Sequence, residues 1–439
     1  MKAFAGWERV SALFTLALPI VIAQLGSILQ GWADTIMVGQ YGTPELSAAG
    51  FVNNAFNLII YFLLGISYAT TPVVGTYFSK GEYDSVIQAK RSSMLVNFLA
   101  SLFVICLLLL LYFNIEKLGQ PEELIPLIKP YFIVLLCSLP FLAVFNALKQ
   151  TFDATGDTKT PMWVMLGGNV LNIILNYLLI FLLDLGLLGA GAATLVSRIA
   201  MMLALLLYKK EKSQLSGHHG DWSFADAGRL VRLGVPISLQ MCLEAGSFNV
   251  TALFMGWIGA TALAAHQVMG TVSTFGFMVY YGIGAAAAIR IAYFRGQDEW
   301  DEVRATARTA LFMSFSSAIV IVALLFIFKN SLACAFTTSE DVAALFISLL
   351  PAFACYQVGD CMQTIYANSL RAVEDVKFLM IFAIIAYVIV SVPLAYIFAF
   401  IYNGGAVGVW WSFPFGLTTA GVLYWLRFRI FVPKQSIAE

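Results

Sequence analysis

The stretch LALPIVIAQLGSILQGWADTIMVG, residues 16–39, decides the fold class. It is long enough to cross a bilayer as an α-helix and contains no Lys or Arg, but it carries the acid Asp34. A carboxylate that faces lipid from such a helix costs roughly 2.5–3.5 kcal/mol on insertion scales, so we expect Asp34 to face protein or a water-filled cavity. An acid at this position predicts an ion or proton site.

The composition of the whole chain agrees with a membrane protein. Hydrophobic residues make up 60% and charged residues 11% of the 439 residues, which is too apolar for a soluble globular protein. The net charge of zero indicates no nucleic-acid partner. The six Cys residues lack a CxxC pattern and indicate small buried side chains, not a disulfide or metal set. No phosphate loop, metal-spaced His/Cys set or nucleophile elbow occurs, so the sequence predicts no enzyme and no use of ATP.

Hydropathy predicts twelve membrane spans. Loops on one side carry most of the 25 Lys and Arg residues, whereas the other side has only Lys117, Lys129 and Lys329. The positive-inside rule therefore predicts that both termini are cytoplasmic, which requires an even number of spans. Arg198 lies inside a span and is interpreted as structural. The spans are placed at residues 12–38, 47–74, 92–113, 127–148, 161–183, 187–208, 231–257, 263–289, 306–328, 343–369, 376–401 and 406–428.

The two halves of the chain repeat at an offset of 217 to 218 residues. LPI at 18–20 recurs as VPI at 235–237, and DATGDTKTPM at 153–162 resembles RAVEDVKFLM at 371–380. Each copy contains six spans, an even number, so both copies have the same orientation in the membrane. A parallel repeat of this kind is typical of transporters, with a site near the midplane.

The predicted fold is therefore an all-α polytopic membrane protein with twelve transmembrane helices in two six-helix bundles. The first bundle is predicted to cover residues 1–208 and the second residues 229–439. The polar linker 209–228 is predicted to join them on the cytoplasmic side.

The acids inside the spans do not follow the repeat. Asp34 aligns with Thr251, and Glu244 aligns with Ser27. A purely architectural role would predict matching polar residues in both halves. The asymmetry therefore favours a functional role for the acids.

The first half contains three further polar residues that suit a site around Asp34. Asn172 and Asn176 are four residues apart and share one helical face. Thr194 follows a Gly-Ala-Gly-Ala-Ala stretch in the next span, where small residues allow close helix approach. Together these residues make an oxygen cage for Na+, or the desolvated acid carries a proton. The alternative is that the Asn and Thr side chains only join helices by hydrogen bonds.

The second half contains a pair of acids. Glu244 lies in the seventh span, and Tyr356 and Asp360 lie four apart on one face of the tenth. With no embedded base nearby in the sequence, the acids are expected to share a cation or a proton. The alternative places Asp360 near a helix end, in contact with solvent. Three glutamines are positioned to complete this site: Gln240, Gln357 and Gln363.

Three segments resemble the multidrug and toxic compound extrusion (MATE) transporters, above all their NorM-like branch. They are ALPIVIAQLGSILQGWADTIMVGQYG (17–42), ATGDTKTPM (154–162) and LEAGSFNVTALFMGWIGATALAAHQV (243–268). The resemblance covers essentially the whole chain. It implies two six-helix lobes around a V-shaped cleft, and exchange of Na+ or H+ for lipophilic cationic drugs, with no cofactor besides the coupling ion.

The resemblance also implies residue roles. The cation or proton site of the first lobe would be Asp34, Asn172, Asn176 and Thr194, and that of the second lobe Glu244, Tyr356 and Asp360. The Na+ candidates are Asp34, Glu244 and Asp360, since the NorM-like branch is associated with Na+. The second copy, RAVEDVK, departs from the family where many members have Gly before the Asp, which leaves its turn geometry open.

The expected partners are small-molecule drugs, organic cations and membrane lipids, and the expected state is a monomer in the cytoplasmic (inner) membrane. The main alternative is a lipid-linked saccharide flippase of the wider superfamily. A flippase would present a cluster of bases to a pyrophosphate, whereas only Arg198 is embedded. A channel and a membrane enzyme with a buried acid pair are further alternatives, and the repeat and scarcity of catalytic groups disfavour the enzyme.

Overall fold

The computed structural model describes residues 6–118, 121–208, 215, 217–337 and 339–436. Within them, twelve helices are long and apolar enough to cross a membrane, which confirms the predicted number. We number them in chain order as α1 Gly6–Tyr41, α2 Thr43–Lys80, α3 Tyr83–Tyr112, α4 Glu122–Ala154, α5 Lys159–Leu182, α6 Gly186–Leu206, α7 Phe224–Ile258, α8 Ala260–Gly296, α9 Trp300–Phe336, α10 Glu340–Ala372, α11 Val376–Ile401 and α12 Gly405–Ser436.

Helices α5 and α11 widen into π-helical turns. In α5, the regular helix ends at Asn176 and continues directly as the π-helical Tyr177–Leu182. In α11, the corresponding helix of the second half, π-helical turns cover Ile384–Ser391 and Ile397–Ile401. Such turns change the direction in which side chains project and are frequent at functional sites.

The internal repeat extends to the backbone of the turns. Gly81 and Asp298 both have a positive φ, 76° and 59°, and so do Gly156 and Glu374, 83° and 63°. The amide N–H groups of Gly156 and Glu374 each donate to the carbonyl oxygen three residues earlier, at 2.8 and 3.0 Å. Glu374 therefore adopts the same turn as Gly156 at the equivalent position of the repeat. An ion pair between Arg295 and Glu374, at 2.8 Å, accompanies this unusual backbone.

The chain folds into two compact units whose boundaries lie inside helices. The N-unit is Ile22–Ser238, and the C-unit is Leu239–Glu439 together with the described part of Met1–Val21. The predicted division places the boundary in the linker 209–228 instead, of which residues 209–214 and 216 lie outside the described residues. The first half of α1 thus packs with the C-unit, and the beginning of α7 packs with the N-unit.

Close helix contacts at two glycines explain this exchange of helix segments. In the C-unit, a Cβ atom on Gly282 of α8 would lie 2.3 Å from Val21 Cγ2 of α1. In the N-unit, a Cβ atom on Gly65 of α2 would lie 2.3 Å from Ser238 Cα of α7. The two glycines occupy equivalent positions of the repeat, and each allows its helix to approach the exchanged segment closely.

Polar contacts also attach each exchanged segment to its unit. In the C-unit, Arg9 of α1 donates two hydrogen bonds to the Glu302 carboxylate, at 2.7 and 3.1 Å. In the N-unit, Asp226 of α7 stands at the repeat position of Arg9. Its carboxylate accepts from the Tyr77 hydroxyl at 2.9 Å and from the Gln88 amide at 3.0 Å. This position carries a charged side chain in both halves, positive at Arg9 and negative at Asp226.

Candidate functional site

The N-unit brings Asp34 of α1 together with two amides of α5. Asn176 Nδ2 donates to Asp34 Oδ1, and Gln30 Nε2 donates to Asp34 Oδ2. Gln30 Nε2 also donates to Asn172 Oδ1 at 2.8 Å, and Asn176 Nδ2 lies 3.2 Å from the same oxygen. Each helix contributes two residues at a spacing of four, so the four side chains form a compact ladder. The site predicted from the sequence does not include Gln30, although this residue lies one turn before Asp34 on the same helical face.

Three of these side chains, Gln30, Asp34 and Asn172, line a cavity of about 430 Å³ within the N-unit. This volume is typical of pockets that bind drug-sized ligands. Thr194 also lines the cavity, but its hydroxyl donates to the Ala190 carbonyl oxygen at 3.1 Å and makes no hydrogen bond to Asp34 within the described residues. The polar or charged residues of the wall include Gln30, Asp34, Asn53, Asn54, Asn57, Asn169, Asn172, Thr194, Ser197 and Arg198.

Arg198 of α6 contributes a positive charge to this cavity. Its Nη1 donates to Ser138 Oγ of α4 at 2.6 Å. The guanidinium interacts electrostatically with the Asp34 carboxylate, yet no ion pair within 4 Å joins the two in the described part of the chain. The predicted structural role of Arg198 is therefore incomplete, because the side chain joins α6 to α4 and also lines the cavity.

The C-unit surrounds Glu244 of α7 with amides and a base. Gln240 Nε2 and Gln363 Nε2 donate to Glu244 Oε2, at 2.8 and 2.9 Å. Arg371 Nη2 donates to Gln240 Oε1 at 2.5 Å and is only 7% exposed. The expectation of no embedded base near these acids is wrong, because Arg371, in the last turn of α10, is buried beside Gln240. Gln357, the third predicted glutamine, is buried and makes no hydrogen bond within the described residues.

Asp360 of α10 is 1% exposed, which excludes the alternative of a solvated helix end. Thr364 Oγ1 lies 3.4 Å from Asp360 Oδ1. The Tyr356 hydroxyl lies beside Asp360 and accepts a hydrogen bond from Ser273 Oγ at 3.2 Å, but no hydrogen bond of normal geometry reaches Asp360 Oδ2 from the described residues. Thr364 Oγ1 also lies 3.0 Å from Gln363 Oε1, and Gln363 donates to Glu244, so a chain of side-chain contacts joins the predicted acid pair in one cluster.

Each cluster contains one buried side-chain oxygen without a hydrogen-bond donor among the described residues. Asn176 Oδ1 in the N-unit and Asp360 Oδ2 in the C-unit accept no hydrogen bond from the described residues. Such atoms are costly when unsatisfied, and a bound ion or water commonly satisfies them. No group of three or more His, Cys, Asp and Glu side chains that could bind a metal occurs in the described residues. The oxygen-rich clusters suit a hard monovalent cation or a proton.

Comparison with known families matches most of the chain to one family model. The MatE model matches residues 19–178 and 236–397, and therefore both copies of the repeat. The model of the lipid II flippase MurJ matches residues 127–275.

Known proteins resemble the chain along nearly its full length. A probable multidrug resistance protein NorM of Bradyrhizobium diazoefficiens is 30% identical, over 94% of this chain and 92% of that protein. A second one, of Photorhabdus laumondii, is 24% identical over 98% and 97%. Among solved structures, a Vibrio cholerae MATE transporter is 20% identical with a TM-score of 0.89, over 98% of each chain. A MOP superfamily transporter of Pyrococcus furiosus is 21% identical with a TM-score of 0.87, over 99% and 100%.

Proposed function

Because the chain belongs to the MATE family, whose model matches both of its halves, we propose that it exports lipophilic cationic compounds in exchange for Na+ or H+. Like its relatives, it is a multi-pass membrane transporter and not an enzyme. The names of the NorM relatives state multidrug resistance, which supports drugs as the exported compounds. The observation that carries the exchange mechanism is the presence of a hydrogen-bonded acid within the spans of each unit, the partly buried Asp34 in one and the partly buried Glu244 with the buried Asp360 in the other.

The acids link ion binding to transport. Binding of a cation or proton stabilises one access state only if its affinity differs between the states. By reciprocity, a drug that prefers the other state then weakens ion binding, so that the ion gradient drives export. The excess of Lys and Arg in alternate loops supports insertion into the cytoplasmic membrane with both termini inside. We take a monomer to be the functional unit.

The clusters accommodate either coupling ion. A carboxylate with amide oxygens is suited to Na+, and a desolvated carboxyl group is suited to carrying a proton. The test uses purified protein in liposomes loaded with ethidium, under an imposed Na+ gradient at equal pH, or an imposed pH gradient without Na+. We expect efflux under at least one gradient and none when both are collapsed. Equal efflux with and without gradients would contradict ion-coupled export.

A lipid-linked saccharide flippase is the second candidate, since the MurJ model matches residues 127–275. That cargo carries a pyrophosphate, which requires several basic groups. Arg198 is the single base among the residues that line the N-unit cavity, which favours drug export. Flipping of a fluorescent lipid pyrophosphate at rates above those of protein-free liposomes would support the flippase instead.

A further inference from the structure

The outer face of α5 begins with two side chains whose polar groups have no partner in the described part of the chain. Lys159, the first residue of the helix, is exposed and makes no hydrogen bond or ion pair with a described residue. Trp163 lies one turn later on the same face and is 67% exposed, and its indole N–H likewise has no acceptor among the described residues. A Trp N–H normally finds an acceptor. Because α5 is long and apolar enough to span the membrane, lipid is the neighbour that can supply these partners.

A glycine leaves a notch in the same face, one turn beyond Trp163. A Cβ atom on Gly167 would meet no atom of a neighbouring element within 4 Å, whereas one on Gly168 would lie 2.3 Å from Met201 Cγ. Helix packing therefore requires a glycine at position 168 but not at 167, where glycine disfavours the helix. The exposed Val170 follows one turn later. The notch is thus open to lipid and lets an acyl chain lie close to the helix backbone.

The base of this face is not used by the cap of the helix. The Asp157 carboxylate accepts from the Thr160 amide N–H at 3.1 Å and from the Thr160 hydroxyl at 2.8 Å. It forms no ion pair with Lys159 in the described part of the chain. The Lys159 ammonium therefore remains available to an anion at the side of the helix.

The second copy of the repeat repeats the base and not the rest of the face. At the offset of 218 residues, Lys159 aligns with the exposed Lys377 of α11. Trp163 aligns with Ile381, and Gly167 aligns with Ile385. The start of α11 therefore has the same charge without an indole or a notch, and it serves as an internal control.

We propose that the outer face of α5 binds one anionic phospholipid of the leaflet in which the helix begins. The phosphate lies on Lys159, the ester region at Trp163 and an acyl chain in the notch at Gly167. A Lys ammonium binds phosphate as a point charge, and a Trp ring sits at headgroup level with its N–H toward polar groups. Because α5 also carries Asn172 and Asn176, the lipid contacts the element that positions two members of the N-unit acid cluster.

The test compares two lipids with the same chains and different headgroup charge. Purified protein in detergent is titrated with dioleoylphosphatidylglycerol or dioleoylphosphatidylcholine, and native mass spectrometry gives the Kd for the first lipid bound. We expect the phosphatidylglycerol to bind roughly 5-fold more tightly, the contribution of one base near an anionic headgroup. Glycerol 3-phosphate, which has the phosphate without the chains, should not compete.

Three variants separate the charge from the notch. Lys159→Gln should raise the Kd for phosphatidylglycerol roughly 5-fold and leave that for phosphatidylcholine unchanged. Gly167→Leu fills the notch and should weaken both lipids without lowering the thermal unfolding midpoint, since the added side chain meets no neighbouring element. The matched control Lys377→Gln removes the equivalent base and should leave both Kd values unchanged.

Four results would overturn the inference. They are equal wild-type affinity for the two lipids, equal losses in Lys159→Gln and Lys377→Gln, unchanged lipid binding in Gly167→Leu, and competition by glycerol 3-phosphate, which would indicate a site for free phosphate. Should Gly167→Leu fail to fold, Gly167→Ala decides by the same titration. Lipid binding is measured without transport, so failure of the proposed export function, seen as absence of gradient-driven ethidium efflux, is recognised separately.

Discussion

The acid clusters of the two units differ in their access to a cavity and in their net charge. In the N-unit, Asp34 and the base Arg198 line an accessible cavity. In the C-unit, Glu244 and Asp360 lie with Arg371 in a cluster whose hydrogen bonds are mostly internal. The formal charges sum to zero in the first cluster and to one negative charge in the second. Because a net charge away from water requires a counter-ion, we expect the C-unit to demand the coupling cation more strongly.

The largest expected effect is the loss of drug resistance on neutralising an acid in either unit. We expect Asp34→Asn and Glu244→Gln each to abolish resistance of cells to ethidium. Each variant lacks the carboxylate at that position, so the coupling cation or proton can no longer bind there in response to its gradient. Growth assays in a strain lacking its own efflux pumps, with immunoblots to confirm equal protein levels, measure the effect. Asp301→Asn is the control, since the Asp301 side chain is 96% exposed. Full resistance in both acid variants would contradict the proposed mechanism.

A second prediction concerns the base of the C-unit cluster, Arg371. Arg371→Met leaves Glu244 and Asp360 without a positive charge, and removing one partner from a buried charged cluster costs about 3–5 kcal/mol. We expect a marked drop in the thermal unfolding midpoint. The midpoint should recover in part in NaCl relative to choline chloride, because Na+ can then bind to the two carboxylates. Arg371→Lys should be less affected. An unchanged midpoint in Arg371→Met would show that the guanidinium does not balance these acids.

A third prediction transfers a residue of the second half into the first. Asn176→Leu introduces the side chain type of its repeat counterpart, Leu394, and removes a donor to Asp34. Loss of a hydrogen bond to a charged group is worth about 1.5–3 kcal/mol, so we expect the KM for ethidium efflux to rise roughly 10- to 100-fold. Asn169→Leu is the matched control, because Asn169 lies on the same helix, lines the N-unit cavity and makes no hydrogen bond to Asp34 within the described residues. An equal rise in both variants would point to a general loss of cavity polarity.

The smallest effects concern the equivalent turns of the two halves. Gly156→Ala places a side chain at φ 83° and should lower stability by about 1–2 kcal/mol. Glu374→Gly relieves a similar strain but removes the ion pair with Arg295, so the two contributions should nearly cancel. Thermal unfolding of both variants in one detergent measures the difference. A larger loss in Glu374→Gly than in Gly156→Ala would mean that the ion pair outweighs the backbone.

Several features followed from the sequence because they depend on local pattern. Twelve apolar runs predicted twelve spans, and the spacing of four placed Asn172 and Asn176 on one face. The repeat distinguished residues that build the fold from candidate functional residues, since Asp34 has no acidic counterpart in the second half. The same spacing rule, applied to Gln30, would have completed the N-unit ladder.

Other features depend on tertiary packing and have no signal in a single sequence. The predicted tenth span, 343–369, ends before Arg371 and leaves it in a loop, because hydropathy gives the end of a span only to within several residues. Whether Arg198 faces a neighbouring helix or a cavity depends on the rotation of α6 about its axis, which composition does not determine. The same limit applies to Thr194, whose hydroxyl bonds within its own helix. The close approaches of Gly65 to Ser238 and of Gly282 to Val21 likewise depend on tertiary packing and cannot be predicted from the polarity of the linker.

The exchange of helix segments between the units has a consequence for biosynthesis. A ribosome delivers the chain from its N-terminus, and the contact of Arg9 with Glu302 joins residues 293 positions apart. The first half of α1 therefore enters the membrane long before its described partners Gly282 and Glu302 have been made, while the second half of α1 can already assemble with the other helices of the N-unit. The N-unit is completed when the beginning of α7 arrives, and the C-unit closes last, around the oldest part of the chain. One continuous helix thus has an early-folding half and a late-folding half.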